Sequence, residues 1–225
     1  MYIQREKRFI ALVGEAAEKT ILTCDVCNDY PAPDGKSLAP FRTPSVSLDA
    51  DDFTLENLTL ANPAGPPQGQ ALVIRVDGDR AIFRRCRLLG DQDTLLVNRG
   101  RHSFEDCSIA GSTDFIFGGA TAYFNRCTIH ALLSGYLPVA STPDFAPHGS
   151  VFSHCNITGE SPEAKTSLGR PRRDDAQTVF LFTEMSGNEC PEGWDHWKQP
   201  SAEKVSRYAE FGSTGPGANP AARVT

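Results

Sequence analysis

Two aspartates recur at one position of a repeated sequence pattern. Asp93 lies seven residues after Cys86, and Asp114 lies seven residues after Cys107. If the repeat is structural, the two side chains share one column on consecutive turns of the chain, about 4.8 Å apart. Two carboxyl groups at that distance do not both ionise readily, so the pKa of one rises and the pair tends to share a proton near neutral pH. Such a pair supplies a proton donor and a nucleophile side by side.

Two glutamines accompany these aspartates. Gln92 immediately precedes Asp93, and Gln70 lies 22 residues before Gln92, which is close to one period of the repeat. Amide N–H groups beside two carboxyl groups suit the stabilisation of an oxyanion. A structural interpretation stays open, because solenoid proteins also stack Asp or Asn in turns to satisfy backbone donors. The glutamines and the aromatic residues Phe115 and Phe117 favour a catalytic site.

The repeat itself is Phe-x-x-Cys-x-(Ile/Leu), and it predicts the fold. Four copies begin at Phe83, Phe104, Phe124 and Phe152, and their cysteines are 21, 20 and 28 residues apart. Each copy alternates apolar and polar residues, as a strand with one buried face does. A half-buried strand that recurs with such a period predicts a solenoid. Because the consensus of leucine-rich repeats is missing, we expect an all-β protein, a right-handed single-stranded parallel β-helix.

Stacking of equivalent positions predicts two internal ladders, one of the repeat phenylalanines and one of the repeat cysteines. We interpret these cysteines as small buried apolar residues, with a disulfide between neighbouring turns as the alternative. Residues 132–147 and 62–70 lengthen two turns and are rich in Pro and Gly, so we expect projecting loops that wall a binding face. Cys24 and Cys27 have the spacing of a metal or redox pair, but without a second pair we interpret them as loop cysteines.

Composition bounds the class of protein. A chain of 225 residues with 40% hydrophobic and 22% charged residues predicts one globular domain over residues 1–225. A net charge of -6 gives no general attraction for nucleic acid or for an anionic membrane surface. No apolar run approaches the length of a membrane span. The chain enters an apolar segment at residues 9–13 without a leader, so we expect a fragment or a mis-started gene model.

The same residues resemble the pectin methylesterases. The matching segments, in order, are Gln70-Ala71-Leu72-Val73-Ile74-Arg75, Gln92-Asp93-Thr94-Leu95, Asp114-Phe115-Ile116-Phe117-Gly118, Leu168-Gly169-Arg170-Pro171, Gly193-Trp194-Asp195-His196-Trp197 and the C-terminal Gly215-Pro216-Gly217-Ala218 with Arg223. They extend over nearly the whole chain, and their number and order make a chance resemblance improbable. The chain resembles a bacterial-type member that is truncated at its N-terminus, and the resemblance implies that the first coil or coils and any signal peptide are lacking.

The resemblance implies roles for individual residues. Asp114 would be the nucleophile that attacks a galacturonate methyl ester, and Asp93 the general acid and then the base. Gln70 and Gln92 would hold the oxyanion, and Arg170 would pair with Asp114. The residues expected to contact sugar rings are Phe115, Trp194 and Trp197, each with core packing as the alternative. Neither a metal nor an organic cofactor is implied.

One departure from the family concerns specificity. The family has Trp after Leu-Gly-Arg-Pro, whereas this chain has Arg172. A guanidinium can lie against a ring or pair with a free carboxylate, so we expect Arg172 to bind substrate and to favour partly de-esterified pectin.

The family also sets the expected partners and location. The substrate would be methyl-esterified homogalacturonan, with no nucleic-acid or membrane partner, and the enzyme would be a monomer that is secreted or held in the cell envelope. The alternatives are a non-catalytic carbohydrate-binding β-helix and an esterase or thioesterase of the same fold that acts on another ester.

Overall fold

The computed structural model describes residues 1–32, 35–65 and 68–223. Three parallel sheets, here called A, B and C, contain nearly all the strands, and one turn of the chain contributes a strand to each sheet in that order. Sheet A consists of β1 (Tyr2–Ile3), β4 (Val46–Leu48), β7 (Ile74–Val76), β10 (Leu95–Val97), β13 (Ile116–Gly118), β17 (Pro138–Ala140) and β21 (Arg170–Pro171). Sheet B consists of β2 (Ala11–Val13), β5 (Thr54–Glu56), β8 (Ala81–Arg84), β11 (Arg101–Glu105), β14 (Thr121–Asn125), β18 (Ser150–Ser153), β22 (Gln177–Leu181) and β24 (Arg207–Phe211).

The third sheet and the remaining elements complete the coil. Sheet C consists of β3 (Ile21–Thr23), β6 (Thr59–Ala61), β9 (Arg87–Leu89), β12 (Ser108–Gly111), β15 (Thr128–Ala131), β19 (Asn156–Gly159) and β23 (Glu184–Met185). Strands β16 (Gly135–Tyr136) and β20 (Thr166–Ser167) pair outside it, and the helices of the described chain are short 3-10 segments at Pro40–Arg42, Ala202–Lys204 and Pro220–Ala222. The predicted right-handed parallel β-helix is confirmed.

From the second coil onward, one residue in the left-handed conformation turns the chain from sheet B to sheet C. These turn residues have positive φ values between 49° and 55°, and they are Asn57, Arg85, Asp106, Arg126, His154 and Phe182. The left-handed conformation costs energy for residues other than glycine, so neighbouring contacts must hold it. Opposite charges stack along this column, where Arg126 Nε donates to Asp106 Oδ1 over 2.8 Å.

The predicted phenylalanine ladder lies at the centre of the coil. The rings of Phe83, Phe104, Phe124 and Phe152 are parallel, with centroids 4.4–4.5 Å apart. Phe180 adds a further ring at 4.7 Å, although it lacks the following cysteine of the repeat. Offset stacking and burial of large apolar rings make this ladder a principal stabilising element.

The cysteine ladder is also confirmed. Its four members are each at most 2% exposed and carry free thiols, as small buried apolar residues do. Their sulfurs donate to backbone carbonyls of the coil, as Cys107 Sγ does to Glu105 O over 3.4 Å. Cys27 packs with Ala64 and Ala71 in a small separate cluster, and Cys24 is likewise unpaired.

The prediction for residues 132–147 was wrong in part. The segment does not form one projecting loop, because β16 and β17 lie within it and β17 is a full member of sheet A. Only the part beyond Ala140 projects, and its Phe145 is 85% exposed. In residues 62–70, positions 66 and 67 lie outside the described residues, and the described remainder contains no strand.

The two ends of the coil differ. At the C-terminal end, Trp194 and Ala218 pack against the core. In the first coil, the large apolar side chains of Phe9 and Val13 are 76% and 63% exposed. The short 3-10 helices of the described residues offer no segment with the length and apolarity that crossing a membrane requires.

Candidate active site

Asp93 and Asp114 occupy equivalent positions in consecutive coils. Each lies two residues before a strand of sheet A, and the pairing of Leu95 with Ile116 places the two aspartates level with each other. Both adopt the left-handed conformation, with φ values of 67° and 52°. Strained backbone of this kind clusters at functional sites. The predicted column is therefore confirmed, and the turn before sheet A presents both carboxyl groups on one side of the coil.

Asp93 is the more buried member of the pair, with 5% of its surface exposed. Burial and the negative charge of Asp114 raise the pKa of Asp93 to about 7, against the opposing effects of Arg172, a hydrogen bond from Gln70, and Arg170. Gln70 Nε2 donates to Asp93 Oδ2 over 2.7 Å. A carboxyl group whose pKa lies near neutrality can donate and accept a proton at the pH of most cells and tissues.

Asp114 is held by a two-point fork. Arg170 Nε donates to Asp114 Oδ1 over 3.1 Å, and Arg170 Nη2 donates to Oδ2 over 2.6 Å. The two side chains are 16% and 14% exposed. Bidentate geometry and partial burial make this a strong pair that fixes the orientation of the carboxyl group. Arg170 begins β21, two strands along sheet A from the strand that follows Asp114.

Two aromatic rings enclose the guanidinium of Arg170. Its central carbon lies 3.8 Å from the ring centroid of Tyr136 and 3.7 Å from that of Trp197. Trp197 was predicted at the site, whereas Tyr136 was missed. A signal existed, because Tyr136 lies 22 residues after Asp114, about one coil further on, and its carbonyl accepts a hydrogen bond from Asp114 N. Treating residues 132–147 as a loop concealed it.

The two predicted glutamines differ in their contacts. Gln70 reaches the carboxyl pair directly through Asp93. Gln92 is half-buried, and in the described structure its side chain makes no hydrogen bond to protein, while its main-chain carbonyl accepts from Ala71 N over 3.2 Å. An amide without a protein partner beside the carboxyl pair is available to a ligand.

The prediction that Phe115 contacts a sugar ring was wrong. Phe115 is fully buried in the core, where its side chain lies so close to Gly111 that a Cβ there would come within 2.3 Å of Phe115 Cβ. Phe117 is the partly exposed aromatic residue of the segment, and it shares an outward-facing column of sheet A with Arg170 through Val139. Strand alternation would place Phe115 and Phe117 on the same face, but Phe115 precedes β13, so the alternation begins only at Ile116.

Trp194 and Arg172 lie at different edges of the site. The Trp194 ring packs on Tyr208, with centroids 4.9 Å apart, and lines a cavity of about 500 Å³ at the C-terminal end of the coil. Neither Asp93 nor Asp114 lines that cavity. Arg172 is exposed beside the carboxyl pair, where it lowers the pKa of Asp93, and it forms no ion pair with the described residues.

The arrangement suits acyl transfer at an ester. A carboxylate fixed by a guanidinium stands beside a buried carboxyl group whose pKa is raised to about 7, and the Gln92 amide, next to Asp93 in the sequence, has no protein partner in the described structure. These are the parts needed for a nucleophile, a proton donor to the leaving alcohol and an oxyanion donor. Among the described residues, no group of three or more His, Cys, Asp or Glu side chains is arranged to bind a metal ion.

Comparisons with known proteins agree with this geometry. A family model described as pectinesterase matches residues 1–225. Pectinesterase 31 of Arabidopsis thaliana is 34% identical over 229 residues, which cover 100% of this chain and 72% of that protein. The structure of pectin methylesterase from carrot has a TM-score of 0.92 at 30% identity, with 100% of this chain and 72% of that chain covered. A pectin methylesterase in complex with hexasaccharide VII has a TM-score of 0.81 at 29% identity, with 92% and 75% covered.

The relatives also bear on the finer expectations. Curated pectinesterases of Arabidopsis thaliana match at 31–36% identity, so the expectation of a bacterial-type member is not supported. The chain spans between 31% and 72% of the length of these relatives. The repeat, the carboxyl pair, the family match over every residue and the similarity to solved structures all agree. The chain therefore belongs to the pectinesterase family of carboxylic ester hydrolases, which adopt the right-handed parallel β-helix.

Proposed function

We propose that this chain hydrolyses methyl esters of polygalacturonate and releases methanol, with Asp114 as the nucleophile and Asp93 as the general acid and base. The observation that carries the assignment is the asymmetry of the pair. Asp114 sits in a two-point fork from Arg170, which fixes the orientation of its carboxyl group. Asp93 is buried with a pKa raised to about 7, so it retains a proton in much of the population at neutral pH.

The first half of the reaction forms an acyl-enzyme. An oxygen of Asp114 attacks the ester carbonyl carbon, and the carbonyl oxygen becomes an oxyanion. As the bond from carbon to the methoxy oxygen breaks, Asp93 transfers its proton to that oxygen and methanol leaves. Each Asp114 oxygen keeps a lone pair beyond the one that accepts from Arg170, so the fork does not block attack.

The second half regenerates the pair. Asp93, now ionised, takes a proton from a water molecule, and the resulting hydroxide attacks the acyl carbon. The bond to Asp114 breaks, which leaves an ionised Asp114, a protonated Asp93 and the free carboxylic acid of the galacturonate unit, and that acid then releases its proton to solvent. A pKa near 7 suits this double role, because the group must donate and then accept a proton at one pH.

The two glutamines are proposed as oxyanion donors. The Gln70 amide has two N–H groups, and the contact with Asp93 uses one of them, so the second can serve the oxyanion. The Gln92 amide has no protein partner in the described structure and is free to donate. Removing one oxyanion donor in other hydrolases costs about 10²- to 10³-fold in kcat.

The proposed substrate is methyl-esterified homogalacturonan, which Phe117 and Trp194 would contact through ring faces. Phe117 replaces Phe115 in this role because it is partly exposed on the outer face of sheet A. Arg172 is proposed to pair with the free carboxylate of a neighbouring de-esterified unit, since it is an exposed cation without an ion pair among the described residues. A related enzyme solved with a hexasaccharide supports an oligosaccharide substrate.

The finer expectations remain proposals. We propose that residues 1–225 form one β-helix domain, that the enzyme acts as a monomer, and that it acts outside the cell or in the cell envelope, where pectin lies.

The test is methanol release from highly methylated pectin. We expect the purified chain to release methanol and the Asp114→Asn variant to release none above background, because an amide is a poor nucleophile. Asp144→Asn is the matched control, since it makes the same change on an exposed loop. Circular dichroism establishes that each variant is folded. A folded wild-type chain without activity would favour a non-catalytic β-helix or another ester, and equal activity of Asp114→Asn would remove the proposed nucleophile.

A further inference from the structure

We propose that Tyr136 and Trp197 act as positioning residues, an aromatic clamp that holds the Arg170 guanidinium in the plane required for its fork to Asp114. The proposal rests on the proposed function, because it assigns the clamp to the same nucleophile. It changes the assignment of Trp197, whose face toward the site is occupied by a cation rather than left free for a sugar.

The clamp is a three-layer stack. The Arg170 guanidinium carbon lies 3.8 Å from the centroid of the Tyr136 ring and 3.7 Å from that of the Trp197 ring. Both distances are far shorter than the roughly 6 Å limit for an attractive contact between a cation and a ring. Two rings at such distances cover both faces of the guanidinium, which leaves only its edge available for hydrogen bonds. That edge faces Asp114.

Few polar contacts orient the Arg170 side chain. In the described structure its side chain hydrogen-bonds only to Asp114. An arginine side chain has several rotatable bonds and loses much conformational freedom when it is fixed. The Nε and Nη2 atoms must point at two oxygens together, and rotation about the side-chain bonds would break one contact of the fork. Contact with two rings restricts that rotation.

Each ring is attached close to one partner of the fork. Asp114 N donates to Tyr136 O over 2.9 Å, and Tyr136 pairs with Ser167, three residues before Arg170. The residue that supplies one ring is therefore hydrogen-bonded to the nucleophile itself. On the other side, Asp195 N donates to Gly169 O over 3.1 Å, next to Arg170.

Trp197 is fixed to the same segment. Its backbone N donates to Asp195 Oδ1 over 2.6 Å, so the residue that bonds to Gly169 also holds the Trp197 backbone. The Trp197 backbone is in the left-handed conformation, with φ of 50°, which needs such support. The two rings are thus tied to the two halves of the ion pair that they enclose.

The clamp predicts a specific kinetic signature. A ring that only contacts sugar contributes to binding, so its loss raises KM with little effect on kcat. A ring that positions Arg170 acts on the nucleophile, so its loss lowers kcat while KM changes little. We expect Tyr136→Leu to lower kcat about tenfold, equivalent to about 1.4 kcal/mol. Tyr136→Phe retains the ring and should keep kcat within about twofold, equivalent to about 0.4 kcal/mol.

Trp197 gives a second, independent pair of variants. Trp197→Leu should lower kcat by a similar factor, and Trp197→Phe should restore much of it, because a smaller ring can still cover one guanidinium face. Tyr123→Leu is the matched control, since Tyr123 is 43% exposed on sheet B and touches neither partner of the fork. A rise in KM with unchanged kcat for both leucine variants would overturn the clamp and return the rings to a sugar-binding role.

A measurement that does not depend on enzyme activity tests the clamp separately from the proposed esterase function. In NMR spectra of ¹⁵N-labelled protein, the Arg170 Nε–H signal should be protected from exchange in the wild type and in Tyr136→Phe. It should exchange faster in Tyr136→Leu and Trp197→Leu, while Tyr123→Leu leaves it unchanged. Loss of the signal in Arg170→Lys assigns it. Inactive wild-type protein with this pattern would refute the esterase and support the clamp, and equal protection in all variants would refute the clamp.

Discussion

Arg170 and Arg223 each pair with a carboxylate that is at least partly buried, but they use their donors differently. Arg170 donates two hydrogen bonds to Asp114, and both faces of its guanidinium lie against the rings of Tyr136 and Trp197. Arg223 donates one hydrogen bond to Glu210. Its other hydrogen bonds go to the main-chain carbonyls of Cys190, Pro191 and Gly217 and to the Met185 sulfur. The two pairs contrast an arginine at the proposed catalytic site with an arginine that joins segments of the fold.

The difference extends to their surroundings. The Arg223 and Glu210 side chains are 5% and 6% exposed, whereas Arg170 and Asp114 are 16% and 14% exposed. Gly193 makes room for Arg223, because a Cβ there would lie 2.5 Å from Arg223 Cδ. The guanidinium N–H groups of Arg223 are all used in linking the C-terminal segments. None of them is left to bind a ligand. At the catalytic face, the carboxylate of Asp114 keeps lone pairs that a substrate can meet.

The largest expected effect is the loss of the C-terminal pair. Arg223→Ala removes every one of these bonds and leaves the Glu210 charge buried without a partner. We expect a loss of about 3 to 5 kcal/mol in the free energy of unfolding, measured by chemical denaturation. Arg207→Ala is the control, because Arg207 lies exposed on the same strand as Glu210. A loss below that of the control would mean that the pair does not fasten the end of the coil.

A second prediction concerns pH and the catalytic face. The pKa of Asp93 is raised from 3.8 to about 7 in the folded chain. Between these values the unfolded chain has lost this proton and the folded chain keeps it, so stability falls as the pH rises through this range. We therefore expect Asp93→Asn to be more stable than wild type by about 2 to 4 kcal/mol at pH 8, with the difference largely lost near pH 4.

Chemical denaturation at the two pH values measures this difference. Asp144→Asn, the same change on an exposed loop, should give a difference that stays within about 0.5 kcal/mol at both pH values. An Asp93→Asn effect independent of pH would mean that Asp93 is not a buried acid.

Sequence periodicity predicts much of this catalytic face and little of the clamp. The cysteine period is nearly constant from Cys86 to Cys127, so it places Asp93 and Asp114 in one column without further information. The next coil contains extra residues, and the count that would align Tyr136 with Asp114 was obscured by loop-forming composition. Arg170 lies 56 residues beyond Asp114, a separation that spacing cannot bridge and only the family resemblance supplied.

The position of Phe115 was mispredicted for a different reason. The chain bends between Asp114 and β13, and the direction of a side chain in a bend does not follow strand alternation. Alternation holds from Ile116 onward, so it correctly assigns Phe117 to the outer face. The core packing of Phe115 against Gly111 depends on the neighbouring coil, which lies beyond any local pattern.

A third prediction separates the two arginines by chemistry. Arg170→Lys keeps the charge but loses the planar fork, so kcat should fall about 10- to 100-fold, equivalent to about 1.4 to 2.7 kcal/mol, with a smaller effect on unfolding. Arg173→Lys is the control, because Arg173 is exposed. Rates of methanol release at saturating pectin measure the effect. Full activity in Arg170→Lys would show that a positive charge beside Asp114 is sufficient for the reaction. The planar two-point fork would then be unnecessary.

The smallest expected effect is that of replacing Arg172. Unlike Arg170 and Arg223, Arg172 has no carboxylate partner among the described residues. An exposed cation contributes less than about 1 kcal/mol to an ion pair, so Arg172→Gln should reduce the preference for partly de-esterified over fully esterified pectin by about 2- to 5-fold. The ratio of kcat/KM values on the two substrates measures this preference. Because salt screens exposed charges, the wild-type preference should weaken as the ionic strength rises, while the variant stays constant. If wild-type kcat/KM at low salt is the same on partly de-esterified and fully esterified pectin, Arg172 has no role in specificity. Its guanidinium would then act on the carboxyl pair only by lowering the pKa of Asp93.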